Sequence, residues 1–153
     1  MVESSDKSNE LRTALRDLRI ELSISTYRVA SVAGLNYSDL AVLDVLAREG
    51  TQSPTDLARR TGIHAATMTG VLARLEKAGW IVRRHDTADG RRVQIESAGF
   101  ARLTAIYRDG NRRLDDVDAG LTAEQAGTVL DYLRAVRGAV RASSLELART
   151  ESC

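Results

Sequence analysis

Two helix signals joined by a turn of a few residues, with a hairpin signal directly behind them, occupy residues 53–95 and leave the chain few ways to fold. The first helix covers residues 53–61, with Ser53 as N-cap, Pro54 at the first helical position and Asp56 three residues after the cap. Gly62 ends it. In the second, Met68, Val71, Leu72 and Leu75 fall at i, i+3, i+4 and i+7, so one narrow stripe faces a core. Gly79 stops that helix. So short a connection holds the two helices together as a helix-turn-helix. Residues 80–84 and 91–95 read as two short strands around the turn-forming stretch 85–90, which completes a winged helix-turn-helix.

The stripe leaves Ala65, Ala66, Thr67, Thr69, Gly70, Ala73, Arg74 and Lys77 on the outer side of the second helix. Small and hydroxyl-bearing residues fill its first half, and cations its second. Such a face lets a helix backbone sink into a major groove, where Thr bonds base edges or phosphates and Ala or the Thr methyl touches thymine methyls. An ordinary solvated helix would carry Glu and Lys in its first turns, and none stands there. The alternative is a winged module used for protein contact without specific DNA binding. It predicts an apolar or acidic reading face, against which the Thr, Ala and Arg residues argue. Arg83, Arg84, Arg91 and Arg92 crowd the hairpin, and an arginine at a wing tip suits a narrow minor groove of enhanced negative potential. Double-stranded DNA is the expected partner.

The net charge of +1 hides a segregation: residues 53–95 hold eight Arg or Lys against four Asp or Glu, and the rest of the chain 14 against 17. A basic module on an acidic frame is the footprint of a nucleic-acid binder. An enzyme fails on inventory. His64 and His85 are the only histidines, Cys153 is the only cysteine, and there is no Gly-rich phosphate loop. No catalytic set of nucleophile, base and orienter is expected. The same residues lack ligand spacing, so neither a metal nor a cofactor is expected. No apolar run approaches the roughly 20 residues that span a bilayer, and the N-terminus is polar rather than signal-like, so a cytoplasmic location without membrane contact is expected.

Residues 1–8 are polar and are expected to be disordered. Leu11, Leu15, Leu18 and Leu22 then recur at helical spacing beside a second stripe of Ile20, Ile24 and Tyr27, which predicts a helix over 9–34 with two neighbours. A helix over 37–48 is apolar at Leu40, Val42, Leu43, Val45 and Leu46, a surface wide enough for burial between two layers. It opens the reading module, taken as residues 35–96. Behind the wing, Leu103, Ile106, Tyr107, Leu114 and Val117 hold one helical face, with Gly110 on the stripe and Gly120 at its end. Thr122-Ala123-Glu124-Gln125 is a capping-box start for a last helix whose stripe is Ala126, Val129, Leu130, Leu133, Val136 and Val140. These helices fill residues 97–148, ahead of a disordered tail at 149–153.

The expected fold is therefore mainly α with a small β-hairpin: a winged helix-turn-helix flanked by long N- and C-terminal helices. A winged core needs only three helices and the hairpin, so the outer apolar faces need a partner. A symmetric homodimer in which the first and last helices of two chains interleave covers them, and sets two reading helices about one DNA turn, roughly 34 Å, apart. A monomeric helical bundle is the alternative, and leaves a single weak half-site reader.

The run Gly79-Trp80-Ile81-Val82-Arg83, then Asp89-Gly90-Arg91 and Val93-Gln94-Ile95, behind Leu75-Glu76 and the helix start His64-Ala65-Ala66-Thr67-Met68-Thr69-Gly70, resembles the MarR family of bacterial transcription regulators. The resemblance covers the reading module, and the outer helices by number, length and order. It implies that Asp89 braces Arg91 through an ion pair so that the arginine enters a minor groove; otherwise that pair is a surface contact worth about 0–1 kcal/mol. It also implies that Thr67, Thr69 and nearby positions face bases, while Ser53, Thr55, Arg74 and Arg83 hold phosphates or the wing. A palindromic operator is expected of such a dimer, and repression is the family's commoner outcome. A small aromatic or anionic effector near Tyr27, Arg28, Tyr37 and Tyr107 is implied as well, although a tyrosine on a helix stripe is more often core or interface.

Two departures matter. The family usually has a Leu-Thr pair after the second wing strand, and here Ile95-Glu96-Ser97-Ala98-Gly99 is about two residues shorter, which makes Ser97 the expected cap of the next helix. His64 stands where Ser commonly caps the reading helix. As a poor cap, it is expected to contact a phosphate instead.

Overall fold

The computed structural model describes residues 2–85 and 93–150. The elements run α1 (Val2–Ala33), α2 (Tyr37–Glu49), α3 (Pro54–Thr61), α4 (Ala65–Lys77), β1 (Ile81–His85), β2 (Val93–Ser97), α5 (Phe100–Asp118) and α6 (Ala123–Thr150). Two compact units divide the chain, residues 1–106 and residues 107–153. The expected class, mainly helical with a small hairpin between long flanking helices, is the observed one.

In the first unit the core is aliphatic around one tryptophan. Leu40, Val42, Leu43 and Leu46 of α2, Leu57 of α3, and Met68, Val71, Leu72 and Leu75 of α4 are buried with Trp80, Ile81, Ile95 and Leu103. The spacing that predicted the α4 stripe thus selects its buried face. Ser53 caps α3 as its position demands: its hydroxyl accepts from the Asp56 amide at 3.1 Å and donates to the Asp56 carboxylate at 2.7 Å. Gly79 closes α4 in the left-handed conformation, φ 71°, where side chains are strained. Its amide and that of Trp80 then reach back to the carbonyls of Glu76 and Leu75, at 3.0 and 2.9 Å. The chain leaves the reading helix in a fixed direction.

β1 and β2 pair antiparallel, Ile81 opposite Ser97 and His85 opposite Val93. Both strands lie later than the residue pattern places them. Trp80 is excluded from the ladder because its amide closes α4 and its carbonyl accepts from the amides of Ala98 and Gly99, at 2.9 and 3.0 Å. On its other edge Ile95 exchanges both backbone bonds with Gln52, at 2.8 and 3.1 Å, so the turn before α3 adds a one-residue third member to the hairpin. The buried Ile95 side chain is thereby fixed from both sides.

The short joint after the wing resolves differently from expectation. Ser97 is a strand residue opposite Ile81 and does not cap α5; Gly99 takes that position, its carbonyl accepting the Leu103 amide at 3.0 Å. A side chain is excluded there, because a Cβ on Gly99 would stand 2.3 Å from the Trp80 ring. From α5, Arg102 lies over the same tryptophan ring, 3.9 Å from its centroid.

The N-terminal end of α1 also departs from expectation. It begins at Val2, so residues 2–8, taken as disordered for their polarity, belong to the helix. Neither Gly nor Pro occurs between residues 2 and 33 to interrupt it. α1 buries Ala30 and Ala33 near its end but exposes Leu11, Leu18, Leu22 and Ile24. In the second unit the capping box before α6 forms as expected, Thr122 and Gln125 each accepting the other's amide, at 3.2 and 2.9 Å. Here Leu114, Val117, Leu130, Leu133 and Val140 are exposed, and α6 continues to Thr150, past the expected start of the tail. No single described helix is long and apolar enough to cross a membrane.

Gly99→Ala forces a Cβ into the Trp80 ring and is expected to destabilise the fold by about 1–3 kcal/mol, the usual cost of overpacking. Chemical denaturation followed through Trp80, the only tryptophan, measures it. A variant as stable as the parent would show that the joint yields.

Candidate nucleic-acid interface

The outer face of α4 is built as the residue pattern predicts. Ala65, Ala66, Thr67, Thr69, Gly70, Ala73, Arg74 and Lys77 are all exposed, and the first turn holds no acid. Partial positive charge from the free amides at the start of α4 is therefore left uncompensated by side chains. His64 occupies the cap position without a side-chain cap bond, and it is exposed. Thr69 turns its hydroxyl back to the Ala65 carbonyl at 3.3 Å, while the Thr67 hydroxyl has no intramolecular partner among the described residues. Thr55 is exposed at the start of α3, whereas the Ser53 hydroxyl is committed to capping.

Every arginine of α3, α4 and β1 is ion-paired, a fact hidden in the sequence. Arg59 pairs with Asp56, Arg60 with Glu49 at 2.7 Å, Arg83 with Glu76 at 2.9 Å and Arg84 with Glu96 at 3.1 Å. The side chains in these pairs are 32–75% exposed. Such pairs contribute about 0–1 kcal/mol each, so a polyanion displaces the acid at little cost.

The fifth pair is different. Arg74 donates to Asp39 Oδ1 at 2.7 Å, and the Asp39 side chain is only 5% exposed. Its other oxygen accepts the Asn36 amide at 3.1 Å, so one carboxylate ties the start of α2 to the last turn of α4. Breaking a fully buried pair costs roughly 3–5 kcal/mol, and less here because Arg74 is half-exposed. Among the site residues that the residue pattern did not reveal, Asp39 is the most consequential. The available signal was its place three residues after Asn36, where a helix cap recruits an acid.

Beside this pair lies a groove of about 390 Å³ lined by Gly34, Leu35, Asn36, Asp39, Arg74, Lys77 and Ala78. None of the four effector candidates lines it. Tyr27, Arg28 and Tyr37 are exposed, and Tyr107 is partly so. Asp89, Arg91 and Arg92 lie outside the described residues. Among those described, no group of His, Cys, Asp or Glu is placed to hold a metal.

A family model described as the MarR family matches residues 33–92. The uncharacterised HTH-type transcriptional regulator YcgE of Bacillus subtilis (strain 168) is 38% identical over 106 residues, which cover 68% of this chain and 69% of YcgE. The chain belongs to the MarR family. Another relative, the HTH-type transcriptional repressor YetL of Bacillus subtilis (strain 168), is 35% identical over 100 residues, 63% of this chain. The match spans 60% of the length of YetL. Among solved structures, NadR in complex with 4-hydroxyphenylacetate superposes with a TM-score of 0.62 at 28% identity, covering 82% of this chain and 91% of NadR. MarR-family proteins are typically DNA-binding transcription regulators.

The exposed pairs yield a direct expectation. Substituting both Glu49→Gln and Glu96→Gln removes two exposed acids, leaves stability within about 1 kcal/mol and tightens binding to mixed-sequence duplex DNA. Denaturation and a DNA titration check both halves. A loss of several kcal/mol would show that these acids hold the module together.

Proposed function

We propose that the chain acts as a homodimeric repressor that binds a palindromic operator. The observation that carries this is a reading helix whose exposed residues are small, hydroxyl-bearing or basic apart from Glu76, which pairs with Arg83, on a chain whose outer helices leave apolar stripes exposed. In this proposal α4 enters the major groove, with Thr67 and Thr69 at base edges and Ala65, Ala66 and Gly70 permitting close approach. His64, Thr55, Arg83 and Arg84 meet phosphates, and Arg59, Arg60 and Lys77 add to the field around them. Asp89 braces Arg91 for the minor groove, with Arg92 beside it. Helices from residues 9–34 and 97–148 of two chains pack together, which covers their exposed leucines and valines and sets the spacing of two half-sites. Repression follows the name of YetL.

A small aromatic acid is the proposed releasing ligand, by analogy with the 4-hydroxyphenylacetate bound in NadR, with Tyr27, Arg28, Tyr37 and Tyr107 as candidate contacts. The rival use of the module for protein contact receives no support from a reading face that lacks large apolar side chains.

A mobility shift with the protein's own upstream region across a salt series tests the central claim. A palindromic site bound with an affinity that falls steeply with salt is expected, because each phosphate contact adds about 0.9 to the slope of log affinity against log salt. Salt-insensitive binding, or none to any enriched sequence, removes the DNA-reading proposal. Arg91→Ala is expected to weaken binding while sedimentation still shows a dimer. A parent chain that sediments as a monomer at micromolar concentration overturns the architecture.

A further inference from the structure

The arginines of the reading module form two classes by the burial of their acidic partners. Those paired with Asp56, Glu49, Glu76 and Glu96 exchange a solvated carboxylate for a phosphate with little loss. Arg74 has no such exchange open to it. Asp39 is 3% exposed and, among the described residues, holds the Asn36 amide besides Arg74. If the guanidinium left for a phosphate, a carboxylate that is buried in the free protein would lose its cation.

We propose that Arg74, although it lies on the outward face of the reading helix, is a positioning residue. Asp39 withholds its guanidinium from the DNA backbone, and the pair fixes the rotation and height of α4 against α2. The core stripe Met68, Val71, Leu72 and Leu75 holds α4 by apolar contact, which tolerates small rotations. The Asp39–Arg74 bond is directional and joins residues 35 apart in sequence. The pair therefore sets where Thr67 and Thr69 fall in a groove, and its contribution is to discrimination between sequences rather than to the electrostatic part of affinity. This inference rests on the DNA-reading proposal.

The test is a salt series on two probes, a duplex of the protein's own upstream region and a mixed-sequence duplex of equal length. The double substitution Asp39→Asn/Arg74→Gln conserves net charge and leaves a neutral hydrogen-bonding pair. It is expected to keep the parent's salt slope on both probes and to lose about tenfold in discrimination, the order of one mismatched base pair. A slope lower by about 0.9 would mean that Arg74 meets a phosphate, which overturns the proposal. Unchanged slope with unchanged discrimination overturns it too, since the pair would then position nothing. Asp39→Asn alone frees the guanidinium and is expected to steepen the slope by about 0.9 on the mixed-sequence probe. Should either variant fail to fold, Arg74→Lys keeps the charge but not the planar fork. It is expected to lower discrimination at unchanged slope, and unchanged discrimination counts against the proposal. A parent chain that shows no salt-dependent binding to either probe fails the DNA-reading proposal itself, an outcome distinct from all of these.

Discussion

The residue on which the reading module depends is Trp80. Its amide closes the reading helix against the Leu75 carbonyl, and its carbonyl accepts the amides of Ala98 and Gly99 just ahead of α5. The indole lies against Gly99 and beneath the Arg102 guanidinium, and is 1% exposed. One side chain thus joins α4, the hairpin and α5, so these three elements keep their mutual geometry. The left-handed Gly79 before it and the bare Gly99 opposite it are consequences of this joint. The first aims the backbone, and the second makes room for the ring.

Around that joint, electrostatics divides into what is spent on structure and what stays available. The exposed arginine pairs of α3 and β1 hold the module neutral at short range in the free protein, yet release their cations readily. In the proposed function, counterion release would then supply affinity without sequence preference. Asp39 and Arg74 belong to the other category, because burial makes the bond costly to break. A basic patch counted from composition overstates the free cations, since it includes this one. The same arithmetic explains why a module with a local excess of basic residues needs so few acids to behave as a well-ordered fold.

Most of the fold was legible in the chain itself. Element ends coincide with Gly34, Gly62, Gly79 and Gly120, and the apolar stripes have helical period, so local chemistry and packing agree. What stayed hidden depends on pairings between distant segments. Gln52 joins the hairpin through a single residue, too little for any strand propensity to register. Glu49, Glu76 and Glu96 read as ordinary surface acids until the fold brings Arg60, Arg83 and Arg84 to them. Ser97 looked like a cap because Ser is a strong one, but the contact that decides the joint is the tryptophan ring, which admits only glycine at position 99. Polarity misled at the N-terminus, where an uninterrupted helical sequence outweighed it.

The way α4 is held bears on how such a module is switched. Its core stripe, the Asp39 bond and the Gly79–Trp80 turn fix it from three directions, and each involves a buried group whose displacement leaves either a cavity or a stranded charge. Reshaping the reading helix is therefore an expensive response to a ligand. Moving the module as a body is cheaper, because its surface pairs and exposed faces cost little to rearrange. In the proposed dimer, the exposed stripes on α1 and α6 would be the faces through which two such modules change their separation while each keeps its internal geometry. An effector that shifts the spacing of two intact readers needs only a differential affinity for two dimer arrangements, and a tightly braced α4 makes that the lower-energy route.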